Sequence, residues 1–113
     1  MYAPLVEKNY LDGGTQVSWS TGITGELVGN SSATINITYY FSNGTTLTDS
    51  RNVTPSARLF NFDQRTDAVL SGQSSFIAAA VLTSSQSFSF IVNQVAGSSV
   101  LGDAAMTYGG VKP

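Results

Sequence analysis

Apolar and polar residues alternate with a period of two along most of this chain, the pattern of half-buried β-strands. Between Ala33 and Phe41, one face carries Ala33, Ile35, Ile37, Tyr39 and Phe41, and the other Thr34, Asn36, Thr38 and Tyr40. Asn43-Gly44 follows at once. That pair predicts a two-residue hairpin, because both central positions take positive φ, and Thr45 to Val53 should return antiparallel. Upstream, Gln16 to Val28 is rich in Thr, Val, Trp and Ile but interrupted by Gly22 and Gly25, which predicts a strand with a bulge or a bend.

Further along, Arg58 to Phe62 alternates again as a short strand. Ser75 to Thr83 is apolar on both faces, as a strand in the centre of a sheet would be. Ser87 to Val95 sets Phe88, Phe90 and Val92 on one side, and Ala104 to Tyr108 reads as a last short strand ended by Gly109-Gly110. Asp63 to Leu70 has too few turns for a helix and is expected to be a loop with one helical turn. Seven to nine short strands with frequent turns predict an all-β fold, an antiparallel immunoglobulin-like β-sandwich, with a partly closed barrel as the alternative. The expected core is Trp19, Ile35, Ile37, Tyr39, Phe76, Phe88, Phe90 and Val92. Trp19 is expected to anchor it between the sheets.

Composition narrows the chemistry. The 113 residues make one domain, 1–113, without internal repeats. Only 11% are charged, against about 25% in an ordinary soluble domain, so 28 Ser and Thr supply much of the polar surface. Hydrophobic residues at 42% are enough for a core, which argues against disorder. With no His and no Cys there is no Ser-His or Cys-His dyad, no thiolate nucleophile and no ordinary zinc site. A net charge of −2 gives no footprint for nucleic acid. These features predict a binding or structural module, not an enzyme, with no cofactor.

No stretch approaches the ~20 apolar residues that span a membrane, and Pro4, Glu7 and Lys8 interrupt any signal-peptide pattern near the start. Met1 is then expected to be an initiator placed before an excised domain. Cysteine usage leaves the compartment open, since a domain of this size buries enough surface to fold without disulfides.

Several segments arrive in a telling order: Ala3-Pro-Leu-Val-Glu-Lys-Asn-Tyr10, Trp19-Ser-Thr-Gly-Ile23, Ser32-Ala-Thr-Ile-Asn-Ile-Thr-Tyr-Tyr40 and Asn43-Gly44. Ala79-Ala-Val-Leu-Thr-Ser84, Phe90-Ile-Val-Asn-Gln-Val95 and Gly102-Asp-Ala-Ala-Met-Thr-Tyr-Gly-Gly110 complete the series. Together they resemble a repeat domain of secreted and cell-surface proteins from Chloroflexi-type filamentous bacteria. The chain departs from that pattern at Asp63–Leu70, where the family has a shorter Leu-Pro-rich loop, and at Gly25–Leu27, where it has a Gln-Asn pair. The resemblance implies an extracellular β-sandwich of structural or adhesive role, often in tandem, without catalytic activity or cofactor. Implied partners are like domains or surface glycans.

Some residues invite a sharper reading. Asn30, Asn36, Asn43 and Asn52 each begin an Asn-x-Ser/Thr sequon, where chance gives about two for this composition. A glycan-bearing face would explain the solubility of so uncharged a surface. Compositional coincidence in a bacterial protein without an oligosaccharyltransferase is the preferred explanation. Lys8 in the first strand and Asn93 in a late one have the layout of an intramolecular Lys–Asn isopeptide bond. That bond needs a desolvated amine and a buried acid to move protons, with Glu7, Glu26 and Asp103 as candidates. The resembling family accepts Arg at the Lys8 position, which forbids the reaction, so an exposed strand Lys and a hydrogen-bonding Asn are the ordinary expectation. The carboxylates of Asp12, Asp63, Asp67 and Asp103 are too scattered for calcium, which wants several converging oxygens.

Trp19, Tyr39, Tyr40 and Tyr108 are candidates for a sugar-stacking platform, Tyr40 above all because alternation turns it outward. A single outward Tyr among threonines is also a normal cross-strand contact. Finally, Tyr2–Lys8 and the segment after Tyr108 are placed to mediate contact between units, in tandem or by strand addition into a filament. Otherwise they simply complete their own sheets.

Overall fold

The computed structural model describes residues 2–12, 17–96 and 105–112. Two antiparallel sheets face each other. One is built from β1 (Tyr2–Lys8), β7 (Phe76–Thr83), β4 (Ala33–Phe41) and β5 (Thr46–Val53), in that order. The other runs β2 (Tyr10–Asp12), β3 (Val17–Leu27), β8 (Phe88–Ala96) and β9 (Ala105–Lys112). β6 (Leu59–Asp63) also pairs with β3, so β2 and β6 share one edge of that strand: β2 meets Val17–Trp19 and β6 meets Gly22–Glu26. The all-β sandwich expected from the alternation is present. Among the described residues the only helical piece is one 3-10 turn, Ala68–Leu70, where a single turn was expected.

The inner faces follow from the period of two. Ile35, Ile37 and Tyr39 on β4, with Ala78, Ala80 and Leu82 on β7, meet Phe60 and Phe62 on β6 and Phe88, Phe90 and Val92 on β8. All are buried, and edge-on ring contacts such as Phe60–Phe88 fill the space between sheets. As its apolarity on both faces required, β7 lies inside its sheet, between β1 and β4. Trp19 departs from expectation: it is only half-buried, on the stretch of β3 that pairs with the short β2.

Three local expectations are corrected. β3 keeps an unbroken register with β8 from Trp19↔Ala96 to Leu27↔Phe88, so neither glycine marks a bulge. Gly25 instead faces inward under the Phe60 ring, where an added Cβ would lie 2.1 Å from a ring carbon and 2.5 Å from the Ser89 carbonyl oxygen. The β4–β5 turn is also different. Gly44 alone takes positive φ (87°), after a β-turn closed by the Gly44 N–H to the Phe41 carbonyl at 3.0 Å. Asn43 uses its side chain instead, accepting from the Thr45 N–H at 3.0 Å. Lastly, β9 does not stop at Gly109-Gly110 but continues to Lys112, paired with β8 throughout.

One segment belongs to both sheets. Asn9 adopts φ 46°, a left-handed conformation that Asn tolerates, and there the chain passes from β1 in one sheet to β2 in the other. Its N–H donates to the Ser20 Oγ at 2.8 Å, which fixes the crossing.

Candidate functional site

One face of the β1-β7-β4-β5 sheet is turned outward. Its cross-strand pairs are uncharged: Thr34 faces Asn52, Asn36 faces Ser50, Thr38 faces Thr48 and Tyr40 faces Thr46. The Thr34 hydroxyl donates to Asn52 Oδ1 at 3.0 Å, and the Thr38 and Thr48 hydroxyls meet at 3.3 Å. Such pairs bind the strands without charge and hold the side chains upright. The sequon residues gather here: Asn36 and Asn52 on this face, Asn43 exposed at the turn below it, Asn30 exposed in the preceding loop.

Tyr40 is turned outward as expected and is 48% exposed. Its register neighbours are Ala79 and Thr46, neither of them aromatic. Tyr2 is 61% exposed on the same sheet, but β7 separates the two strands. Trp19 lies in the other sheet, Tyr39 is buried in the core, and the side chain of Tyr108 is outside the described residues. The four aromatics do not form one platform.

A buried polar seam joins the sheets at one end. Gln64, fully buried just past β6, accepts from the Thr21 hydroxyl at 2.8 Å and donates to the Tyr39 hydroxyl at 2.9 Å and to the Phe62 carbonyl at 3.1 Å. Thr21 Oγ1 also accepts from the Glu7 N–H at 2.9 Å. The Glu7 carboxylate accepts from Gln94 Nε2. Burial raises the Glu7 carboxyl above its ordinary value, offset in part by that hydrogen bond. Burial likewise holds the Tyr39 phenol far above its usual range, so it stays neutral and serves as a hydrogen-bonding post.

The isopeptide constellation is not assembled. Lys8 is buried, 8% exposed, against the ordinary expectation of an exposed strand lysine, but its Nζ donates to the Leu70 carbonyl at 2.9 Å. Asn93 lies across from Gly22 in the other sheet, on the face turned away from the core, while its neighbours Val92 and Gln94 point inward. Glu26 is exposed, paired with Ser89 and Leu59 toward the far end of β3. Of the candidate acids only Glu7 is buried near Lys8, and Asp103 lies outside the described residues.

A second cluster clamps β5 to the β6 side. Arg51 Nη1 meets Asp49 at 2.8 Å, Nη2 meets Asp67 at 2.9 Å, and Nε donates to the Asn61 carbonyl at 2.9 Å. The guanidinium lies 4.5 Å over the Phe62 ring. Burial raises the Asp67 carboxyl, against the pull of Arg51, and its second oxygen is buried without a partner. No sequence pattern singles out Asp49 and Arg51, because a strand seen one residue at a time does not show which charges converge.

Among the described residues no three acidic groups converge to hold a metal ion. Asp63 and Asp67 are used locally: the Asp63 carboxylate accepts from the Arg65 N–H at 2.9 Å. The side chain of Asp12 is outside the described residues. No helix among the described residues is long and apolar enough to cross a membrane. No protein-family model, curated protein or solved structure matches the chain.

Proposed function

We propose that this chain is a non-catalytic module of extracellular structural or adhesive role, a building block of a bacterial cell surface set beside like domains. The observation that carries the reading is how its few basic residues are spent. Lys8 is buried against the Leu70 carbonyl, Arg51 is clamped between two aspartates, and Arg58 donates to the Leu27 and Gly29 carbonyls, both at 3.0 Å. Arg65 alone among the described arginines stands largely exposed. A chain in which three of the four described basic side chains tie down its own backbone offers trypsin-like proteases few sites, and its neutral β4–β5 face lets like units approach without charge repulsion.

The finer fold reading is immunoglobulin-like. The partnerships β1-β7-β4 and β3-β8-β9 parallel strands B-E-D and C-F-G of that sandwich, with β5 and β6 inserted between D and E. A second reading, a filament subunit joined by terminal strands, draws on the position of β1 and β9 at the edges of their sheets.

Surface labelling tests the main reading. Antibody raised against the domain should bind intact, unpermeabilised source cells, and trypsin should cut the folded domain slowly, first after Arg65. Labelling only after permeabilisation overturns it. Assembly that grows with protein concentration would favour the filament.

A further inference from the structure

On the outer face of the second sheet, directly across from each other, stand Asp63 of β6, Gly22 of β3 and Asn93 of β8. The middle position has no side chain, and a Cβ built there would meet nothing within 4 Å. The result is a notch with a polar wall on each side, its wall backbones about 10 Å apart from two strand spacings. Thr24, Asn61 and Arg65 add to the polar lining, with Ser20 and Thr21 at its β3 end, and Val95 adds an apolar contact. The notch opens where β2 stops short of β6 along the β3 edge.

The chemistry of this lining is specific. Amides of Asn61 and Asn93 both donate and accept, Asp63 accepts, Arg65 donates, and the Thr24 hydroxyl does either. Such a set matches vicinal hydroxyls, each of which donates and accepts at once. An anion is disfavoured, because the one cation, Arg65, has Asp63 3.8 Å away. A divalent cation would find a single carboxylate. Exposed Ile91 and Val95 flank Asn93 on β8 and offer a dry strip for the C–H face of a ring. We propose that the notch over Gly22 binds a neutral sugar ring, with Asp63 and Asn93 gripping its hydroxyls from opposite sides.

This deepens the adhesive side of the function proposed above and rests on it for its setting only. The sugar-binding locus moves to the opposite sheet from Tyr40. The test is an amide-resolved NMR titration of the intact domain with cellobiose, maltose, mannobiose and chitobiose, each taken to about 20 mM, since single-ring sites bind at about millimolar strength. At least one should shift amides within 20–24, 61–65 and 93–95 together. Gly22→Ile fills the notch with a residue that strands favour and should weaken that binding by about tenfold or more, with the fold intact by its amide spectrum. Asn61→Ala, an exposed position, gives a second arm and should weaken it by about threefold to tenfold.

No shift in these three segments with any of the four sugars overturns the proposal, as does binding that Gly22→Ile and Asn61→Ala both leave unchanged. Shifts centred on Tyr40 overturn it in favour of the other face. Surface labelling is read separately, so failure of the sugar site and failure of the surface role remain distinguishable.

Discussion

Gln64 Nε2 and the Tyr39 hydroxyl, 2.9 Å apart, join the two sheets through one fully buried amide. Each polar atom of that amide is engaged, by Thr21, Tyr39 and Phe62. An apolar replacement would take one hydrogen bond from each of the three partners in the core. Gln64→Leu should therefore cost about 3 kcal/mol of stability, read from the urea midpoint. Tyr39→Phe removes one bond of the set and should cost about 1 kcal/mol. Near-equal effects would show that the amide is not the centre of the network.

The glycines of β3 should respond in opposite ways. Gly25→Ala drives a methyl into the Phe60 ring and the Ser89 carbonyl, for about 1–3 kcal/mol of destabilisation by overpacking. Gly22→Ala meets open space and should leave thermal stability unchanged or slightly raised, because Ala restricts the unfolded chain. Paired melting curves decide it.

Gly44→Ala should destabilise by about 1 kcal/mol, since φ 87° strains any residue with a Cβ. Asn43→Ala loses the bonds to the Thr45 N–H and hydroxyl but no special backbone angle, and should cost less. Denaturant titration of both variants ranks them.

Acid dependence carries a definite sign. Glu7 holds its proton more tightly in the folded chain than at its ordinary value of 4.5. Above the raised value, the folded chain bears a buried charge that the unfolded chain keeps in water. Below 4.5 both states are protonated and that penalty vanishes. The Glu7 contribution thus becomes more favourable as pH falls from neutrality toward 4.5, against the usual trend of acid denaturation, and Asp67 acts in the same sense. Glu7→Gln should flatten the stability profile between pH 7 and 4.5 and be no less stable at pH 7, by urea midpoints across that range.

Most strands were legible because alternation reports which face is buried: β4, predicted as Ala33 to Phe41, has those bounds. What sequence left open depended on partners far along the chain. Gly22 and Gly25 look alike as interruptions, yet one lies in an outer notch and the other makes room for Phe60, whose ring comes from another strand. Asn-Gly pointed to a hairpin but not to its turn geometry, because the Asn43 side chain supplies a bond that a backbone rule omits. Lys8 and Asn93 have the strand layout of a crosslink, but the sheets set them on different faces. The notch was invisible for the same reason: Asp63, Gly22 and Asn93 are adjacent only across strands.

The crossing of early strands with late ones bears on how the molecule is made. Tyr2 pairs with Val81 and Trp19 with Ala96, so each sheet must close large loops before its contacts repay the lost chain freedom. Folding on the millisecond-to-second scale of non-local β-proteins is expected. During synthesis β1 waits for β7, and β3, which β2 and β6 can join earlier on one edge, waits for β8 on the other. Neither sheet can zip up until most of the chain has left the ribosome, and until then the β4–β5 hairpin stands without its neighbours.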